Sequence, residues 1–168
     1  MKVLGIDPGY ERLGIAVLEK TAGSKEQLLY SACLRTSAKD SFEQRLLSLG
    51  KEIERVIAEF SPEALAIETL FLSNNQKTAM RVAEVRGMLI YLAASNGLTV
   101  EEINPLQIKL AVTGDGKSSK DQMMKMVALL IKMPNKKALD DEYDAIAVAL
   151  AFFAFGKDKV TNQLSTRS

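Results

Sequence analysis

Short blocks of apolar residues dominate the first third of the chain. KVLGID, RLGIAVLEK and EQLLYSACLRTSA read as strands, and Pro8-Gly9 and Ala22-Gly23-Ser24 supply turn chemistry between them, which predicts an antiparallel meander. The period then changes. From Ser41 to Phe60 the apolar residues Phe42, Leu46, Leu49, Ile53, Val56, Ile57 and Phe60 recur at helical spacing, and Ser41 with Gln44 fits a capping box. Ser61-Pro62 breaks this helix, and ALAIETL then gives a short buried strand. Asn74 to Ser95 gives a second helix that Asn96-Gly97 ends, followed by a strand in LTVEEI. A helix initiated at Pro105, the loop Thr113-Gly114-Asp115-Gly116, a helix from about Ser119 to Lys132 and a last one from about Asp141 to Phe155 complete the order. This order predicts an α/β fold: a mixed five-stranded sheet, antiparallel in strands 1–3 and continued by strands 4 and 5, with helices on both faces.

The 168 residues, 47% of them apolar, suit one compact domain, expected over 1–156, with 157–168 as a polar, disordered tail. Charges interrupt every long apolar stretch, and Met1-Lys2 leads straight into a strand rather than a leader; the expectation is a cytoplasmic protein with no membrane partner. Cys33 is the only cysteine and histidine is absent, which excludes intrachain disulfides, thiolate zinc sites and histidine-based triads. Chemistry must come from carboxylates, lysines, hydroxyls or a bound metal. The net charge of +1 says little about partners, but its distribution is uneven. Lys77, Arg81 and Arg86 face only Glu84 between Asn74 and Gly87, and seven lysines outnumber Asp115 and Asp121 between Gln107 and Lys137. A locally basic face and an ordinary solvated surface both fit this pattern.

Four carboxylates stand where a core is expected. Asp7 in GIDPG and Glu68 in LAIET fall at the C-terminal ends of apolar strands, where open sheets place their ligand sites. Asp141 and Asp144 open the very apolar DDEYDAIAVALAFFAF, and their i, i+3 spacing puts them on one helix face. Plainer roles exist for some of them: Asp7 as a turn residue, Glu68 just past its strand, Asp140 or Asp141 as the N-cap. These roles explain Asp144 and Glu68 poorly, because burying a carboxylate is costly and no basic residue lies nearby in sequence. At an effective dielectric of ~20, two unit charges ~4 Å apart repel by about 4 kcal/mol, which a divalent cation removes. All-oxygen ligands favour a hard ion, Mg²⁺ or Mn²⁺. Two such ions activate water and stabilise the leaving oxygen in phosphodiester hydrolysis.

GIDPG followed by LGIAVL, AIETLF with KTAMRVAEVRG, NPLQIKLAVTGDGKSSKDQM, KMP and DDEYDAIAVALA together resemble the RuvC-type Holliday junction resolvases of bacteria. GIDPG alone is shared with sugar kinases and other ribonuclease H-like proteins; the ordered set runs from about Val3 to Phe155. The resemblance implies a ribonuclease H-like fold and a homodimer that cuts opposing strands of a four-way DNA junction with two Mg²⁺ ions per site, with Mn²⁺ able to substitute. A branch-migration helicase complex is the further partner it implies. It also implies Asp7, Glu68, Asp141 and Asp144 as metal ligands, Asp140 replacing Asp141 if the last helix shifts by one residue. Lys120 and Lys109 match basic residues near the family's active site, Lys120 with a catalytic as well as a phosphate-binding role. Phe71 holds the place of an aromatic that inserts at the junction, as an apolar wedge unstacks bases. Lys117, Lys77, Arg81 and Arg86 are candidate backbone contacts, although Arg86-Gly87 also suits helix packing.

Tyr10-Glu11 departs from the small, polar or basic residues common after GIDPG in that family, and bears on substrate preference. Two other readings share the fold: a branched-DNA binder that does not cleave, which would need a lost ligand where none is missing, and a related nuclease with another substrate.

Overall fold

The structure, a computed structural model, describes residues 1–70, 76–133 and 138–156, with 76 and 77 described in backbone only. The expected tail, 157–168, lies outside the described residues. Five strands, β1 (Lys2–Asp7), β2 (Arg12–Glu19), β3 (Gln27–Arg35), β4 (Ala64–Glu68) and β5 (Thr99–Ile103), form one sheet in the order β3-β2-β1-β4-β5. β1 pairs with β2 and β2 with β3 in antiparallel sense, whereas β4 runs parallel to β1 and β5 parallel to β4. The predicted mixed sheet is therefore present. Five helices accompany it: α1 (Phe42–Phe60), α2 (Gln76–Ser95), α3 (Pro105–Thr113), α4 (Lys120–Leu130) and α5 (Asp140–Phe155). Ser41, Asn104 and Ser119 cap α1, α3 and α4 with reciprocal bonds from Gln44, Gln107 and Gln122.

Strand parity divides the core in two. Leu4, Ile6, Leu13, Ile15, Val17, Leu65 and Ile67 face α1 and α2, where they meet Leu49, Ile53, Val56, Val85 and Leu89. Val3, Ala16, Leu18, Ala64 and Ala66 face the other way, toward α3, α4 and α5. Side chains alternate with period two, so Asp7 follows Val3 and Gly5 onto the α5 face, and Glu68 follows Ala64 and Ala66 onto the same face. β1 and β4 pair in parallel up to Ile6–Ile67, which leaves Asp7 and Glu68 side by side one residue beyond.

Small residues let α5 lie almost on the sheet. A Cβ on Gly5 would stand 2.4 Å from the Ala145 carbonyl oxygen, and one on Gly14 would stand 2.1 Å from that of Asp141. Ala145, Ala147, Ala149 and Ala151 are fully buried on the helix side. This close approach brings the first turns of α5 over the end of β1. Among the described residues no helix is long and apolar enough to cross a membrane.

Candidate active site

Three distant parts of the sequence converge at the C-terminal edge of the sheet. β1 delivers Asp7, β4 delivers Glu68, and α5 delivers Asp141 and Asp144. The charges of Asp144, Glu68 and Asp141 all act on Asp7. Burial first, then that repulsion, lift the Asp7 carboxyl from 3.8 to about 7 against the opposing charge of Lys120. Burial and Asp144 likewise raise Glu68, while Arg86 and Lys120 pull it down. Asp144 is raised chiefly by burial, in spite of its bond from Lys120.

The absence of basic partners near these acids in sequence does not hold in space. Lys120, at the start of α4, places Nζ 2.8 Å from Asp144 Oδ2 and 3.2 Å from Asp140 Oδ2. Arg12, at the start of β2, lies 3.4 Å from Asp141 Oδ2 and 3.7 Å from Asp140 Oδ1. The Cys33 thiol also donates to Asp141 Oδ2 at 3.4 Å. Sequence reasoning missed Arg12 and Cys33, although Arg12 and Gly14 on β2 fall on the same strand face by parity.

The N-cap role suggested for Asp140 or Asp141 is wrong. α5 begins at Asp140 after Leu139, and Glu142 reaches back to accept the Leu139 N–H at 3.2 Å while also accepting the Ser31 hydroxyl at 2.7 Å. Leu139 has no side-chain acceptor to offer, and its backbone carbonyl takes the Glu142 N–H at 3.0 Å. Both aspartates are thus helical. Asp141 is 8% exposed and turned to the sheet, whereas Asp140 is more open and shared between Arg12 and Lys120.

A cleft of about 230 Å³ is lined by Glu68, Lys109, Lys120 and Asp144 over an apolar floor of Pro105, Ile108, Met123 and Val148. Lys109 and Lys120 therefore flank the carboxylates. Lys117 is exposed on the α3–α4 turn, its backbone N–H bonded to Asp115 Oδ1 at 2.9 Å, and does not line that cleft. Arg81 lies against α1, 3.9 Å above the Phe42 ring and 3.2 Å from Glu84. Of the two roles open to Arg86, packing is the one the structure supports: it is 9% exposed and paired with Glu102 at 2.7 Å, an inward cation whose charge reaches Glu68. Phe71 and the side chain of Lys77 lie outside the described residues.

Among the described residues no three acidic or cysteine side chains already stand in a metal-holding geometry. Arg12 and Lys120 instead pair with carboxylate oxygens of Asp141 and Asp144. The donor chemistry fits a hard divalent ion: four oxygen donors with mutual repulsion and no imidazole.

A family model described as crossover junction endodeoxyribonuclease RuvC matches residues 3–152. The chain belongs to this family. Its RuvC relatives include the protein of Moorella thermoacetica, 39% identical over 155 residues and covering 92% of both chains. That of Thermosipho melanesiensis is 42% identical over 149 residues, 89% of this chain and 94% of its own. Among solved structures, T. thermophilus RuvC in complex with a Holliday junction substrate matches with a TM-score of 0.87 at 28% identity, over 94% of this chain and 96% of the other.

Proposed function

We propose that this RuvC family member resolves Holliday junctions by hydrolysing phosphodiesters at the edge where β1, β4 and α5 meet, in DNA recombination and repair. The observation that carries the reading is the convergence of Asp7, Glu68, Asp141 and Asp144, with Asp7 driven to about 7 by burial and its acidic neighbours. A buried carboxylate cluster this self-repelling is costly unless a cation is part of the working state. Asp7, Glu68, Asp141 and Asp144 would hold Mg²⁺, two ions per site, and Mn²⁺ would substitute. When bound, the metal supplies charge neutralisation at the phosphodiester and activation of the attacking water.

The chain's own groups do the rest. Lys120, its charge reinforced by Asp144 and Asp140, stands beside the cluster to offset negative charge that grows on the phosphoryl oxygens. Lys109, which lines the same cleft, suits a contact to a neighbouring phosphate. Hydrolysis in this sense leaves 5′-phosphate and 3′-hydroxyl ends. Phe71 as a junction wedge and Lys77, Arg81 and Lys117 as backbone contacts rest on the family resemblance, as does a branch-migration helicase partner. A homodimer is supported by the exposed face of α2, where Met80, Glu84, Gly87 and Tyr91 form one stripe and Met80 and Tyr91 are 67% and 70% exposed. Two symmetric cuts also need two sites.

The test is a labelled four-way junction titrated with Mg²⁺. Wild type should nick opposing strands, and Asp7→Asn should bind the junction without cutting it. Cleavage by Asp7→Asn at the wild-type rate would remove the site assignment. Junction binding by wild type with no nicking at any metal concentration would favour the non-cleaving binder.

A further inference from the structure

A second cationic cleft, of about 320 Å³, opens on the same sheet edge toward β3. It is lined by Glu11, Arg12, Arg35, Thr36, Ala38 and Arg45. We propose that this cleft is a second phosphate station, which binds a backbone phosphate of the strand being cut at a position flanking the scissile one. The proposal deepens the junction-cleaving reading and rests on it.

The strand register makes the arrangement unusual. Arg12 and Arg35 are direct partners across the antiparallel β2–β3 pair, where like charges oppose one another. Arg12 is neutralised on one side by Asp140 and Asp141. Arg35 and Arg45 have no carboxylate within ion-pair distance among the described residues. An anion between the guanidinium groups relieves this repulsion, and a planar guanidinium is suited to two phosphate oxygens.

The cleft is also preorganised. Thr36 donates its N–H to the Glu11 carbonyl at 3.0 Å and its hydroxyl to the Tyr10 carbonyl at 2.6 Å, which fixes the β1–β2 turn to the end of β3. Arg45 donates Nε to the Asp40 carbonyl at 3.3 Å and lies over the Tyr10 ring, 5.8 Å from its centroid. Tyr10 in turn meets Phe42 edge-on at 6.2 Å. The residues that set this chain apart from its family pattern thus have a place: Tyr10 supports an arginine, and Glu11 puts one negative charge in the lining of the cleft.

Contiguity identifies the ligand. Arg12 touches Asp141 at the carboxylate cluster and also lines the cleft, so a strand with one phosphate at the carboxylates continues across Arg12 toward Arg35 and Arg45. A phosphodiester is the anion such a path delivers. Glu11 sits in the same lining and weakens the attraction of any phosphate held there.

The experiment measures binding of the full chain to a four-way junction in EDTA, with single neutral methylphosphonates placed in turn on each side of the cut. One flanking position should weaken wild type about 5- to 10-fold and leave the Arg35→Ala/Arg45→Ala double variant unaffected. The double variant should also show a salt dependence shallower by about one to two phosphates. Arg35→Lys/Arg45→Lys should restore the slope, which separates lost charge from lost packing. Glu11→Gln, an exposed change that leaves the fold intact, should tighten binding about threefold at low salt. If the double variant responds to every methylphosphonate as wild type does, or if Glu11→Gln changes nothing, the station does not exist. Failure of wild type itself to bind the junction would instead overturn the junction-cleaving reading.

Discussion

Near neutral pH and above, Asp7→Asn should make the metal-free protein more stable, and more so as the pH rises. Folded Asp7 titrates near 7 because it is buried among Asp144, Glu68 and Asp141; its ordinary value is 3.8. Between those values the folded state binds a proton that the unfolded chain has released, so stability falls as the pH climbs through that window. Below about 4 the carboxyl is protonated in both states and no penalty remains. A rise from 3.8 to about 7, at about 1.36 kcal/mol per pH unit, sets a ceiling of about 4 kcal/mol above pH 7. Burying the new amide takes back part of this, leaving a gain of about 2 kcal/mol. For a chain of this length that is roughly 4–8 °C in Tm. Thermal denaturation in EDTA at pH 4 and pH 8 measures it: the variant should melt below wild type at pH 4, where only the burial of the amide counts, and above it at pH 8. In Mg²⁺ at about a hundred times its dissociation constant, wild type should recover about 2.7 kcal/mol and overtake the variant. An Asp7→Asn protein no more stable than wild type at pH 8 without metal would refute the account of Asp7 as a repelled carboxylate.

Metal affinity should follow the same proton. Binding must displace it, so Mg²⁺ affinity measured calorimetrically should rise with pH up to about 7 and level off above; a flat profile from pH 5 to 8 would contradict the raised Asp7. Lys120→Met should slow cleavage by roughly 10²–10³ at saturating metal. Its half-exposed ion pairs contribute less than about 1 kcal/mol to stability, so a large fall in Tm with normal cleavage would reverse its assignment from catalytic to structural. Gly14→Ala forces a methyl to within 2.1 Å of the Asp141 carbonyl, so α5 must lift from the sheet. It should cost about 1–3 kcal/mol in denaturant unfolding and also lower the cleavage rate, because Asp141 and Asp144 move with the helix. An active, fully stable Gly14→Ala would mean that the close approach is not required.

Local patterns in the sequence were enough for most of the fold. The alternation of strands, the 3.6-residue period from Phe42 to Phe60 and the Ser41–Gln44 cap are short-range signals, and the corresponding elements occur where they predict. The four carboxylates stood out because an acid in an apolar strand or helix conflicts with burial, a conflict visible one element at a time. Parity within each strand groups Asp7 with Val3 and Gly5 and Glu68 with Ala64 and Ala66, but only the β1–β4 register puts the two acids on one face. Partnership across the chain was not legible. Lys120 beside Asp144, Arg12 beside Asp141 and Glu102 beside Arg86 unite residues that have no local reason to meet. The start of α5 at Asp140 depended on Glu142 and Ser31 from a strand more than a hundred residues earlier. The raised Asp7 and the opposed Arg12 and Arg35 are likewise products of distance: electrostatic energy depends on separations and burial that only the packing of α5 against Gly5 and Gly14 sets. Sequence alone named the acids; the tertiary structure decided what each one faces.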